Sequence, residues 1–190
     1  MSDQGSMPRT WAKRDYHRRW LLRQADALMD FFQYRSINPK GGFHELTREG
    51  APLDPGNAVR GIHVSARMVH CYSIAYLLGR PGAGEIIDHG MRYLWGRHRD
   101  ERHGGYVWSL DDDGPVDATK QGYGHAFVLL AASSAKVAGH PLADTMLADV
   151  SEILDTRFWE EHHGAIAEEF ESDWSPIGGG QYRGQNSNMH

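Results

Sequence analysis

Apolar side chains recur at helical spacing through most of this chain, and short glycine- and proline-rich stretches interrupt them. In WAKRDYHRRWLLRQADALMDFFQY, the residues Trp20, Leu21, Ala25, Leu28, Met29 and Phe32 fall on one stripe, which predicts an amphipathic helix. SINPKGGFHELTREGAPLDPG cannot continue it, and GGFHEL within this stretch predicts a short strand. From about Gly61, IHVSARMVHCYSIAYLLG returns to the helical period through Ile62, Ala66, Val69 and Ala75, with Gly79 placed to end the helix. RPGAGEIIDHGMRYLWGRHRD predicts another helix with Ile86, Ile87, Met91, Leu94 and Trp95 as its apolar face. ERHGGYVWSLDDDGPVD then reads as a hairpin, extended over Tyr106 to Leu110 and turned at Asp-Gly. ATKQGYGHAFVLLAASSAKVAG and HPLADTMLADVSEILDTRFW predict two more helices, the second opened by His140-Pro141. EEHHGAIAEEFESDWSPIGG is a further extended excursion, and QNSNMH opens a last helix with Asn186 near its cap.

The unit helix, helix, glycine-containing hairpin occurs twice. HRDERHGGYVWSLDDDG and FWEEHHGAIAEEFESDW share a helix end, acidic residues, His-Gly and an extended segment, with Gly104 and Gly164 in matching places. Such repetition predicts an array of helical hairpins. The hairpins all fall at one kind of helix junction, so they gather at one rim, and the expected shape is a closed double ring of helices. Five helices and the start of a sixth make about half of such a ring. The expectation is therefore one domain over residues 1–190, with residues 1–10 disordered and the chain ending within the ring at His190.

Composition narrows the functions. With 40% hydrophobic and 24% charged residues in a chain of 190, a single globular domain with a real core is expected. A net charge of −5 and the lack of clustered Lys and Arg argue against a nucleic-acid partner. No apolar run is long enough to cross a bilayer, and MSDQGSMPRT lacks a signal-peptide core, so the expected location is cytoplasmic, away from membranes. The one cysteine, Cys71, excludes an internal disulfide and a cysteine-based zinc site. Twelve histidines, six Trp and eight Tyr suit a polar ligand held by hydrogen bonds and ring faces, although most such aromatics fill cores.

Three clusters could carry chemistry. In ARMVHCY, Arg67 must reach water or a buried acceptor, and a snorkelling surface arginine is equally consistent. In DATKQGYGHAF, Asp117 reads as a helix cap with Lys120, Tyr123 and His125 in the first turns, a place that suits oxyanions and sugar hydroxyls; capping plus core aromatics is the alternative. In QYRGQNSNMH, Arg183, Asn186 and His190 unite a cation, an amide and an imidazole. Asn186 and His190 are four apart and share a helical face, a geometry for gripping a polyol, unless the histidine is incidental to a capped helix start. His162-His163 beside Glu160 and Glu161, and His98 and His103 around Asp100, lack tight metal-ligand spacing, so no metal is expected. Neither a phosphate-binding loop nor a dinucleotide fingerprint is present; GGG at 178–180 follows no clear strand.

Taken together, ARMVHCYSIAYLLGRPGA, HGGYVWSLDDDGPVDATKQGYGHAFVLLAASSA and YRGQNSNMH, in this order, resemble the N-acylglucosamine 2-epimerase superfamily. The similarity runs from about Trp11 to His190. Within the superfamily it leans to the aldose–ketose isomerases of D-mannose and sulfoquinovose. The resemblance implies an all-α (α/α)6 barrel with a central cavity, of which this chain resembles only the N-terminal half. It implies proton transfer between C1 and C2 of an open-chain monosaccharide through an enediol, with no cofactor. D-mannose to D-fructose is the expected reaction, since no group here is marked for a sulfonate; 2-epimerisation is the second. By motif, the resemblance carries catalytic roles to His190 and Arg67 and substrate contacts to Tyr123 and Asn186, with Lys120, His125 and Arg183 as further substrate-binding candidates. The alternative of another class is a non-catalytic half-barrel that binds sugar weakly. An open half-ring would expose apolar inner faces and invite self-association into a homodimer.

Overall fold

A computed structural model of the chain describes residues 10–178 and 182–190. The expected disorder of residues 1–10 thus falls, apart from Thr10, outside the described residues, as do Gly179 and Gly180. Among the described residues six α-helices carry the fold: α1 (Asp15–Phe32), α2 (Ile62–Leu77), α3 (Ala83–Tyr93), α4 (Gly122–Val137), α5 (Ala143–Ile153) and the short α6 (Gln185–Met189). Helices α2, α4 and α6 pack side by side in one row, with α3 backing α2 and α5 backing α4. These two rows of hairpins form about half of an (α/α)6 barrel.

Small side chains let the rows close up. Ala66 on α2 and Ala131, Ala132 and Ala135 on α4 are fully buried beside Val69, Val128, Ile86 and Met146. Each Val, Ile or Met side chain so buried contributes about 1.5–3 kcal/mol, and each alanine less. At Gly124 a Cβ would come within 3.0 Å of the Ile62 side chain, so the missing side chain helps α2 lie close against α4.

The repeat is regular. Helix α4 begins 60 residues after α2, and α5 begins 60 residues after α3. Both outer helices end in a wider π-type turn, Leu94–His98 and Leu154–Phe158, where the N–H groups of Arg99 and Trp159 reach back to the carbonyls of Leu94 and Leu154. In the turns that follow, Gly104 and Gly164 both adopt positive φ (76° and 58°), which glycine accepts without steric cost.

Short strands tie each inner helix to chain that comes later. Strands β1 (Arg60–Gly61), β2 (Ser109–Leu110) and β3 (Pro115–Asp117) form an antiparallel sheet in that order. Strand β4 (Lys120–Gln121) pairs with β7 (Glu169–Phe170), and β5 (Trp159–Glu160) with β6 (Ala165–Ile166). Registers Arg60↔Leu110 and Lys120↔Phe170 are again the same contact one repeat apart.

Three local expectations are corrected. GGFHEL makes only the single bridges Ile37↔Phe43 and Leu46↔Pro52, because Gly41 and Gly42 turn at positive φ against the Tyr93 ring. Asp117 does not cap α4. Its carboxylate accepts from the Thr119 N–H (2.9 Å) and hydroxyl (2.7 Å), the chain then pairs as β4, and α4 starts at Gly122. Helix α6 is entered from Gly184 rather than Asn186. The apolar stripe of α1 forms as expected, yet none of its residues is buried, and Leu28 is 61% exposed. The helix is held instead by the Tyr72 hydroxyl donating to Met29 O (2.8 Å) and by Arg80 pairing with Asp30 and Gln33.

Candidate functional site

Residues 63 and 67 share one face of α2, and residues 123 and 127 share one face of α4. Where these faces meet, Arg67 Nη2 donates to the Tyr123 hydroxyl at 2.7 Å, and the guanidinium lies 4.4 Å from the Phe127 ring centroid. His190 completes the cluster. Its ring stands edge-on to Tyr123 (centroids 5.2 Å apart, 84°) and 5.4 Å from Phe127.

The His190 imidazole has a defined polarity. Its Nδ1 lies 2.9 Å from the Asn186 carbonyl, which can only accept, so the neutral ring carries its proton on Nδ1 and leaves Nε2 free as a base. The Asn186 side-chain amide is exposed and bonds to no other described residue. Asn188 has the anchoring role. Its side chain accepts from Ile166 N (2.7 Å) and donates to Ile166 O and Gly184 O (both 3.0 Å), clasping α6 to β6. The Ser187 hydroxyl adds a bond to Glu168 (2.8 Å).

Two residues that the sequence motifs passed over belong to the same cluster. His63 stacks on Trp108 (4.8 Å, 12°), and both rings lie 6.3 Å from Tyr123. Burial, aided by the nearby Arg67 charge, lowers the His63 pKa, so the ring is neutral at neutral pH. The spacing of His63 to Arg67, four residues on a helix, is the signal that could have marked it, as it marked Asn186 and His190.

Arg67, Tyr123 and His190 therefore converge, Asn186 joins them only through its backbone carbonyl, and Lys120, His125 and Arg183 stand apart from them. The Lys120 side chain is wholly buried, with Nζ 2.7 Å from Asp100. His125 is equally buried. Its Nδ1 donates to Gln121 O (2.7 Å) while Nε2 accepts from Tyr106 N–H (3.0 Å), and burial drives its pKa down to about 4. Arg183 pairs with Glu160, one repeat on from the Lys120–Asp100 pair. The cluster lies on an open face: Arg67, Asn186 and His190 are exposed, and Arg67 also borders an apolar groove of about 340 Å³ with Leu28, Phe32 and Met68. A concavity of about 570 Å³ between Lys40, Arg92 and Tyr93 is lined by none of these groups. Among the described residues, no three His, Cys, Asp or Glu side chains are grouped to hold a metal.

The model of N-acylglucosamine 2-epimerase (GlcNAc 2-epimerase) matches residues 41–190, which include every member of the cluster. The chain belongs to the N-acylglucosamine 2-epimerase family. Among family proteins, it is 42% identical over 183 residues to D-mannose isomerase of Thermobifida fusca, covering 95% of this chain and 43% of that one. It is 41% identical over 182 residues to D-mannose isomerase of Pseudomonas cannabina pv. alisalensis, covering 95% and 42%. The chain thus spans less than half the length of these curated relatives. Its fold superposes on a crystal structure of D-mannose isomerase with a TM-score of 0.83 at 35% identity, over 97% of this chain and 45% of the other. Cellobiose 2-epimerase from Spirochaeta thermophila DSM 6192 gives a TM-score of 0.76 at 27% identity, over 93% and 46%.

Proposed function

We propose that this chain carries the sugar-gripping face of an aldose–ketose isomerase, with D-mannose and D-fructose as the interconverted pair. The convergence of Arg67, Tyr123 and His190 carries this reading: a fixed cation, a hydroxyl and a basic imidazole meet within reach of one hexose. The isomerase names of the relatives support it.

The chemistry follows from the groups. A base takes the C2 proton of the open-chain aldose, and the electron pair forms the C1–C2 double bond while the carbonyl oxygen becomes an enediolate. Arg67 suits that oxygen as a fixed positive charge, and the Tyr123 hydroxyl, already bonded to Arg67, orients it. His190 Nε2 belongs to the acid–base and polarising set. The proton is delivered to C1, the C1–C2 pair forms that new C–H bond, and the O2 hydrogen passes to the enediolate O1 as C2=O forms, to give the ketose. Oxidation at C2 balances reduction at C1 within one molecule, so the reaction needs no redox cofactor. Return of the proton to C2 on the other face would instead give the 2-epimer.

On this reading the ligand is a monosaccharide, and the protein works in the cytoplasm without nucleic acid or membrane. In support, no helix among the described residues is long and apolar enough to cross a membrane. Incubation with D-mannose, D-glucose, D-fructose, N-acetylmannosamine and sulfoquinovose, followed by sugar analysis, tests the proposal. Fructose from mannose is expected. Epimers alone would move the assignment to 2-epimerase, and neither conversion nor binding of any of these sugars would overturn it.

A further inference from the structure

His63 fills in α2 the place that Tyr123 fills in α4: each is the second residue of its helix, 60 positions apart. Tyr123 uses that place to face Arg67, Phe127 and His190. By the same repeat geometry His63 faces the same hollow, one helical turn before Arg67 and 6.3 Å from Tyr123.

Its hydrogen bonding differs from that of several other buried or half-buried histidines. His70 is bonded to Ser134, His89 to Gly42 O, His98 to Val107 O, and His125 to both Gln121 O and Tyr106 N. His63 has no such partner: Nδ1 is enclosed and unpaired, and Nε2 is the ring nitrogen left on the open side. His44 also encloses an unpaired Nδ1; what distinguishes His63 is its place, stacked on Trp108 and beside Tyr123 at the cluster. The chain also makes room for this placement. A Cβ on Gly61 would meet His63 Cε1 at 2.9 Å and Nδ1 at 3.1 Å, so only glycine at 61 leaves the ring flat on Trp108.

We infer that His63 is a further sugar-contacting residue of this site, a second imidazole that presents Nε2 to a hydroxyl of the open-chain polyol while Trp108 fixes its plane. This rests on the reading of the cluster as a sugar site.

The test uses the full chain and D-mannitol, an acyclic polyol that cannot isomerise, followed by proton NMR of the histidine Cε1–H signals. The His63 signal is expected to move with mannitol. His63→Phe keeps an aromatic ring on Trp108 and loses the nitrogen, so affinity should fall about tenfold, the worth of one hydrogen bond. His63→Gln, which restores a donor and an acceptor, should recover part of that loss. Gly61→Ala, which leaves the imidazole intact but pushes it off Trp108, should weaken binding to a similar degree.

A His63 signal unmoved at saturation, or parent-like affinity in His63→Phe while Arg67→Ala abolishes binding, overturns the inference and leaves the site standing. Should His63→Phe not fold, unchanged affinity in Gly61→Ala overturns it equally. If the unsubstituted chain binds no mannitol, or Arg67→Ala and Tyr123→Phe bind it as the parent does, the sugar-site reading falls and takes this inference with it.

Discussion

Lys120 Nζ lies 2.7 Å from Asp100 Oδ2, and the whole lysine side chain is out of contact with solvent. Burial lowers the lysine pKa against the opposing pull of Asp100. For Asp100, burial acts to raise the pKa, but Lys120 and the N–H groups of His103 and Arg102 outweigh it and bring the carboxyl to about 2. The pair bolts the entry of α4 to the preceding hairpin. Lys120→Ala should destabilise the fold by roughly 3 kcal/mol, the usual scale for stranding one member of a buried pair. A urea denaturation series would show it, and sugar affinity of the folded fraction should stay within about twofold, a change of under ~0.5 kcal/mol.

Acid should unfold the protein through two buried histidines. His98 and His125 are both pushed from 6.5 to about 4, burial being the main cause. Between those values the unfolded chain binds more protons than the folded one. Their stabilisation is therefore complete above pH 6.5 and is lost as the pH falls toward 4, on the order of 3 kcal/mol for each. Denaturation midpoints at pH 7, 5.5 and 4.5 would trace it. His98→Phe, which copies Phe158 at the matching place in the next repeat, should flatten this limb while giving up the bond to Val107 O.

Removing the cation or the base should separate binding from turnover. Arg67→Ala strips both the bond to Tyr123 and the charge over Phe127, and should lower kcat/KM by about 10²-fold or more. His190→Ala should lower kcat by a comparable ~10²-fold with a smaller effect on KM. Steady-state kinetics on D-mannose would check both.

Asn188→Ala should act on the site without unfolding the domain. The five-residue α6 is too short to persist alone, and Asn188 supplies three of the bonds that hold it to β6 and Gly184. Its loss should free His190 from Tyr123, raising amide exchange over residues 185–190 and cutting turnover, with a melting temperature close to that of the parent.

The helices were legible because their signals are local: the apolar period of α2 and its stop at Gly79, and the matched turns at Gly104 and Gly164. That Arg67, Tyr123 and His190 lie together follows from motifs and helical spacing that the sequence shows. What the motifs could not carry was side-chain direction. Lys120 and His125 read as groups at a helix mouth, but Lys120 lies in β4, which pairs with β7 fifty residues later, and His125 is held inside by Gln121 O and the Tyr106 N–H. Trp108 looked like an ordinary strand residue, and its place against His63 of α2 and Tyr123 of α4 is set by elements far from it in sequence. Likewise, the α1 stripe shows in the sequence, but whether anything covers it does not.

The strand pairings also set an order of events during synthesis. The start of α2 is fixed by β2, whose residues follow it by nearly fifty positions, and the Gly122 N–H at the head of α4 is met only by Glu168 O. A nascent chain must therefore hold each inner helix loosely tethered until the next hairpin has left the ribosome. His63 and Arg67, made before the rest of the cluster, wait longest for their surroundings.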